Sequence, residues 1–143
     1  MSAIFHILVV DDEPRLRKTL AMIIHGAGYQ TTGAGDAYSA LKALSETDFD
    51  LLILDWQLPD LDGVTLLKEI RLLYPGLPVV VITGNGTAET SETVMRLGGR
   101  YLLLKPFDPR FIVSLVGDIL RKDKVLISDS KLFKDVQARY THV

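Results

Sequence analysis

The sequence has no cysteine, and its apolar runs are short. The absence of cysteine excludes a disulfide framework and a thiolate metal site, and it fits a reducing compartment. Residues 1–6 contain no Lys or Arg, and no apolar run approaches the length of a membrane-spanning helix. We therefore predict no signal peptide, no contact with a membrane and a cytoplasmic location.

The chain also lacks an excess of charge of either sign. It contains 16 Lys and Arg residues and 18 Asp and Glu residues, which gives a net charge of −2. Such a balance gives no bulk attraction to nucleic acid, and no basic helix or DNA-reading motif is present. Disorder is not expected, because 48% of the 143 residues are hydrophobic. We predict a folded domain that does not bind nucleic acid directly.

Short apolar runs recur along the chain. They lie at residues 7–10, 51–54, 79–82 and 102–104, with a more polar run at 29–32. Uninterrupted runs of this length are typical of strands buried on both faces of a parallel sheet. Amphipathic helical patterns alternate with them, so the chain contains five βα units. We predict an α/β fold with a doubly wound parallel sheet and helices on both faces.

Proline, glycine and the apolar periodicity set the expected helix bounds. Helices are predicted at residues 14–26, 36–44, 64–74, 87–97 and 108 to about 121. Residues 123–143 stand apart from this alternation, with one apolar helical face formed by Leu132, Phe133 and Val136. This segment is interpreted as a C-terminal helix, a dimer helix or a linker to an effector domain. The predicted domain therefore covers residues 1–122, followed by a tail at 123–143.

Polar side chains follow the apolar runs at the points where the strands should end. Asp11 and Asp12 follow the first run, Asp55 follows the run at 51–54, and Thr83 and Lys105 follow the last two. Ligands of doubly wound sheets bind outside the carboxyl ends of the strands. We therefore expect these five side chains to share one edge of the sheet.

A cluster of carboxylates at this edge predicts a site for a hard divalent cation. Mg²⁺ binds about six oxygens, including carboxylates, carbonyls and phosphate oxygens. The predicted ligands are the carboxylates of Asp11, Asp12 and Asp55 and the backbone carbonyl of Gln57. The alternatives are a helix cap made by Asp11 and Asp12, and a solvated strand end at Asp55.

Asp55 is the predicted nucleophile, because a carboxylate can accept a phosphoryl group as an acyl phosphate. Lys105 would neutralise the transferring group, and the Thr83 hydroxyl would donate a hydrogen bond to it. Taken alone, Thr83 could be an ordinary strand residue and Lys105 a lysine that extends to solvent.

These residues, with the loop motifs Leu58-Pro59-Asp60 and Asp62-Gly63 and the Lys105-Pro106-Phe107 motif, resemble the receiver domain of two-component response regulators. The resemblance covers residues 4 to about 122. It implies a flavodoxin-like (βα)5 fold with strand order 2-1-3-4-5. It also implies a cis bond between Lys105 and Pro106.

The resemblance further implies a Mg²⁺- or Mn²⁺-dependent transfer of a phosphoryl group to Asp55 from a sensor histidine kinase or phosphotransfer protein. The expected output is a change in the face formed by the fourth helix, the fifth strand and the fifth helix, through which a homodimer could form. Such a domain is not an enzyme, although it assists its own phosphotransfer and autodephosphorylation.

One position departs from the family pattern. Many receiver domains have an aromatic residue three positions before the lysine, and its rotation accompanies activation. Here that position is Leu102, and Tyr101 precedes it. Neighbouring strand residues face opposite ways, so Tyr101 is not expected to replace it directly. The predicted switch residues are thus Thr83 with either Leu102 or Tyr101.

Two other functions compete with phosphorylation-controlled signalling. A phosphohydrolase with an aspartyl nucleophile usually has a second aspartate two positions later as its general acid. That position is Gln57, which cannot transfer a proton. A pseudo-receiver would serve only as a binding surface, and the complete set of acids with Lys105 argues against it.

Overall fold

The computed structural model of the protein describes residues 4–124, so nearly all of the predicted tail lies outside the described residues. Five parallel strands form one sheet in the order β2-β1-β3-β4-β5. Their bounds are β1 His6–Val10, β2 Gln30–Ala34, β3 Leu51–Asp55, β4 Val79–Thr83 and β5 Tyr101–Leu104. The predicted α/β class and strand order are confirmed.

Five helices connect and follow the strands. They are α1 Pro14–Gly26, α2 Ala37–Glu46, α3 Gly63–Leu73, α4 Ala88–Arg96 and α5 Pro109–Lys124. The second strand was predicted too early, because Tyr29 still hydrogen-bonds to the carbonyl of Ile24 at the end of α1. The fifth helix extends beyond residue 121. No helix in the part of the chain described here is long and apolar enough to span a bilayer.

The alternation of strand side chains divides the core into two layers. Ile7, Val9 and Ile53 pack on one face of the sheet against α1 and α5. Leu8 and Leu54 belong to the opposite layer, which α2, α3 and α4 cover. Because both faces are covered, the central strands are apolar throughout, which explains the uninterrupted runs in the sequence.

The site lies where the strand order reverses. Strand β1 pairs with β2 on one side and with β3 on the other, and Val10 is in register with Leu54. The residues that follow, Asp11 and Asp55, are therefore neighbours across the two strands. The crevice at such a switch point is the usual ligand-binding position of a doubly wound sheet.

Candidate functional site

The carboxylates of Asp11, Asp12 and Asp55 meet at the carboxyl ends of β1 and β3. One oxygen of each lies within 4.8 Å of the others. Asp11 and Asp55 are buried, whereas Asp12 is exposed. Asp55 is thus not a solvated strand end. The helix-cap alternative for Asp11 and Asp12 is also wrong, because the N-cap residue of α1 is Glu13.

Backbone amides fix one oxygen of each buried acid. Asp11 Oδ1 accepts a hydrogen bond from the Glu13 N–H at 2.8 Å, and Asp55 Oδ1 accepts one from the Gln57 N–H at 3.1 Å. Asp11 Oδ2 is buried and accepts no hydrogen bond from the described residues, although the Lys105 ammonium lies close to it. An acceptor left in this state is suited to a cation.

Lys105 points into the site. Its Nζ lies 3.1 Å from Asp11 Oδ2, 3.1 Å from Glu13 Oε1 and 3.3 Å from Asp55 Oδ2. Only 17% of its side chain is exposed, so it does not extend to solvent. Burial alone would lower the pKa of Lys105, but the hydrogen bond to Glu13 and the nearby negative charges of Asp11 and Asp55 raise it. Lys105 therefore stays an ammonium.

Burial raises the pKa of Asp55 to about 6. The negative charge of Asp11 acts in the same direction, whereas the Gln57 N–H and the Lys105 ammonium favour the ionised form. The folded protein thus holds a carboxylate that protonates more readily than a surface aspartate. A positive charge added at this position would stabilise its ionised form.

Thr83 ends β4 and is fully buried. The preceding residue, Ile82, is in register with Asp55, which places Thr83 at the same edge of the sheet. Its Oγ1 accepts a hydrogen bond from the Asn85 N–H at 3.1 Å. The hydroxyl proton is therefore not used in that bond, and a shift of Thr83 would be transmitted to the β4–α4 loop.

Gln57 lies in the loop after β3 and forms an isolated antiparallel bridge with Asp62. This bridge closes the loop that carries Leu58, Pro59 and Asp60. The Lys105–Pro106 peptide bond, on the other side of the site, is cis.

Tyr101 and Leu102 occupy opposite faces of β5. Tyr101 is buried in the layer with α1 and α5. Leu102 is half-buried and packs in the layer with α2, α3 and α4. The side that carries the usual aromatic residue therefore has a leucine here.

Two contacts at the site were not predicted from the sequence. Glu13 reaches Lys105, and Asp60 accepts hydrogen bonds from the N–H groups of Ala37 and Tyr38 at 2.8 and 3.0 Å. Both link residues that are distant in the chain. The only signals in the sequence were that Glu13 extends the acidic pair and that Asp60 belongs to the loop motif.

The donor set fits a hard divalent cation. All its side-chain donors are oxygens, two of the three carboxylates are buried, and one buried oxygen accepts no hydrogen bond from the described part of the chain. Oxygen ligands of this kind are preferred by Mg²⁺. The candidate ligands from the structure are Asp11, Asp12 and Asp55.

A parallel sheet ordered 2-1-3-4-5, with buried acids and a lysine at its carboxyl edge, defines a class of signalling domain. The sequence profile of the response regulator receiver domain matches residues 7–117. The chain belongs to this family. Domains of this family are not classical enzymes, and the acidic cluster that they use for Mg²⁺ is present here.

Solved structures with the same fold include proteins of this family. The CheY-like receiver domain protein of Methanospirillum hungatei superposes with a TM-score of 0.82 at 27% identity, covering 86% of this chain and 98% of that chain. NtrX of Brucella abortus, solved with ADP, gives a TM-score of 0.80 at 38% identity, covering 86% of this chain and 28% of that chain.

Curated relatives are longer than the matched region. The DNA-binding response regulator MtrA of Mycolicibacterium smegmatis is 35% identical over 120 residues, which are 82% of this chain and 51% of MtrA. The transcriptional regulatory protein FixJ of Bradyrhizobium diazoefficiens is 29% identical over 134 residues, which are 94% of this chain and 65% of FixJ. The chain thus spans between about half and two thirds of these relatives.

Proposed function

We propose that Asp55 accepts a phosphoryl group from a sensor histidine kinase or a phosphotransfer protein. The observation that carries this proposal is the grouping of a buried Asp55 with Asp11 and the Lys105 ammonium, which lies 3.3 Å from Asp55 Oδ2. Asp11, Asp12, Asp55 and the Gln57 carbonyl would hold Mg²⁺ or Mn²⁺. When bound, the cation supplies neutralisation of negative charge beside the transferring group.

In the proposed transfer, an Asp55 carboxylate oxygen attacks phosphorus and forms a P–O bond. The P–N bond of the donor phosphohistidine breaks, and the imidazole keeps the electron pair. The product is an acyl phosphate on Asp55. The reaction requires ionised Asp55, which its pKa of about 6 supplies at neutral pH.

Lys105 and Thr83 are proposed to hold the transferred group. The Lys105 ammonium would turn from the Asp55 carboxylate to the phosphoryl group, which carries nearly two negative charges where the carboxylate carries one. The Thr83 hydroxyl would donate its proton to another phosphoryl oxygen. Because Thr83 also holds the Asn85 N–H, its movement would displace the loop before α4.

The proposed output is a change in the face formed by α4, β5 and α5. This face could also support a homodimer. We place the receiver domain at residues 1–122 and treat 123–143 as a tail or linker. The domain itself would not bind nucleic acid and would act in the cytoplasm, as a phosphoacceptor that assists its own transfer and autodephosphorylation.

Acetyl phosphate tests the chemistry without a kinase. Incubation with acetyl phosphate and Mg²⁺ should add one phosphoryl group, detected by mass spectrometry. Asp55→Asn should add none, because the amide is a poor nucleophile. Asp48→Asn serves as the matched control, since Asp48 is an exposed residue outside the site. Phosphorylation of Asp55→Asn to the parent level would contradict the assignment, and turnover of added phosphoesters would favour a phosphohydrolase. No reaction of the parent would favour a pseudo-receiver.

Cation binding is tested separately. Mg²⁺ should raise the melting temperature of the parent, because it binds the folded arrangement of acids, and EDTA should reverse the change. Asp12→Ala should lose most of this increase. An increase as large as that of the parent would exclude Asp12 as a ligand.

A further inference from the structure

Glu13 is the third acid in contact with Lys105, and it lies outside the carboxylate cluster. Its Oε1 accepts a hydrogen bond from Lys105 Nζ at 3.1 Å. The side chain of Glu13 is 62% exposed, whereas that of Lys105 is 17% exposed. Glu13 therefore holds the ammonium from the solvent side, opposite the buried Asp11 and Asp55.

The backbone of Glu13 is fixed, but its side chain has no role in the helix. Glu13 occupies the N-cap position of α1, and its side chain makes no capping hydrogen bond. Its N–H donates to Asp11 Oδ1, and its carbonyl accepts from the Arg17 N–H. The Glu13 carboxylate therefore does not cap α1, and it contacts Lys105 instead.

The Glu13–Lys105 pair also lines an open groove of about 490 Å³, together with Leu16, Pro106 and Phe107.

A phosphoryl group on Asp55 would bring nearly two negative charges close to Lys105. To reach the phosphoryl oxygens, Lys105 would leave the Glu13 carboxylate as well as Asp55. The contact with Glu13 would then oppose phosphoryl binding.

We propose that Glu13 is a positioning residue that retains Lys105 in the unphosphorylated protein and thereby weakens capture of the phosphoryl group at Asp55. This inference rests on the proposed function of Asp55. The effect is modest, since exposed ion pairs change equilibria by about two- to fivefold. It acts through Lys105 rather than through the fold of the domain.

The test measures the beryllofluoride concentration that half-saturates the full chain in excess Mg²⁺, followed by amide NMR signals near Asp55. Glu13→Gln removes the charge with little change in shape. Glu13→Asp keeps the charge but shortens the side chain by one methylene, and Asp at an N-cap favours the helix amides over Lys105. Glu69→Gln is the control, because it removes the same charge from an exposed position on α3.

Glu13→Gln and Glu13→Asp should both lower the half-saturating concentration by about two- to fivefold, and Glu69→Gln should leave it unchanged. A decrease in Glu13→Gln alone would mean simple charge repulsion and would overturn the positioning role. Equal values for all four proteins would also overturn it. If the parent itself failed to bind beryllofluoride, the proposed function of Asp55 would fail first.

Discussion

The negative charge of Asp55 is unfavourable in the folded protein, because the side chain is buried at the end of a central strand beside a second buried carboxylate. Burial and the Asp11 charge raise its pKa from 3.8 to about 6, and the Gln57 N–H and Lys105 offset only part of this effect. The ionised site therefore costs folding free energy. The same cost favours binding of any cation that removes the repulsion.

Asp55→Asn should stabilise the protein in EDTA at pH 8, by about 1–3 kcal/mol. The parent carboxyl has a folded pKa above its unfolded value, so its destabilising effect is fully present above pH 6 and disappears as the pH falls towards 4. Urea unfolding at pH 8 and pH 5 should show the gain shrinking. A gain that is independent of pH, or equal in Asp48→Asn, would refute this account.

The strand-end acids could be predicted because parallel strands place their carboxyl ends at one edge, whichever side chains surround them. The contacts of Glu13 and Asp60 could not. Glu13 reaches Lys105 through a side-chain rotamer, and Asp60 meets α2 because the loop after β3 folds across the site. Neither leaves a periodic pattern in the sequence.

At the scale of elements, the loop after β3 is joined to two helices. Asp62 caps α3 by accepting the Thr65 N–H at 2.9 Å. Asp60 accepts hydrogen bonds from two backbone N–H groups at the start of α2, where the N-cap residue Asp36 accepts one from the Ser39 N–H. The loop after β3 is thus held at Asp60 and at Asp62, and the bridge between Asp62 and Gln57 should keep Gln57 in a fixed position.

Asp60→Ala should destabilise the domain by about 0.5–2 kcal/mol, because two helix amides lose their acceptor. The half-saturating Mg²⁺ concentration should rise as the loop loosens. Asp48→Ala, an exposed site outside this contact, is the control for both measurements. Thermal melting and Mg²⁺ titration equal to those of the control would show that the contact has no role.

The first residue of α3, Gly63, packs so closely against Trp56 that there is no room for a side chain. A Cβ at Gly63 would overlap the Trp56 ring and lie 2.8 Å from the Trp56 carbonyl oxygen. Gly63→Ala should therefore cost about 1–3 kcal/mol and shift Trp56 emission. Gly76→Ala is the control, since nothing lies within 4 Å of its Cβ position. Equal unfolding midpoints for the two variants would contradict this packing argument.

At the scale of the whole molecule, Thr83 is the proposed link between the site and the surface formed by α4 and β5. Thr83→Ala should still bind beryllofluoride, but the amide shifts across residues 87–97 and 102–107 should be much smaller than in the parent, because the Asn85 N–H loses its partner. Thr47→Ala, an exposed change at the end of α2, should keep the parent pattern. An unchanged spread of shifts in Thr83→Ala would exclude Thr83 as the link.

The two-layer core and strand order could be predicted from the apolar runs and the family resemblance, since sheets covered on both faces need such runs. How a change at the site reaches the surface formed by α4 and β5 could not be predicted from the sequence. Leu102 and Tyr101 lie on opposite faces of β5, so no aromatic side chain occupies the usual position. Tyr101→Leu and the parent should be compared in the same beryllofluoride titration. A smaller spread of amide shifts in Tyr101→Leu would show that the Tyr101 ring takes part in the change, and an equal spread would show that it does not.

Strand β5 has one neighbour, whereas β1 and β3 each have two. Local opening of a folded protein starts where few contacts are lost, and an edge strand loses fewer than a central one. The amides of Leu102 and Leu103 should therefore exchange with solvent faster than those of Leu8 and Ile53. A fluctuation that frees β5 would carry Lys105 away while both buried acids keep their positions. The protein would then lose its positive charge at the site without unfolding, and its lifetime in the phosphorylated form would depend on how often that edge opens.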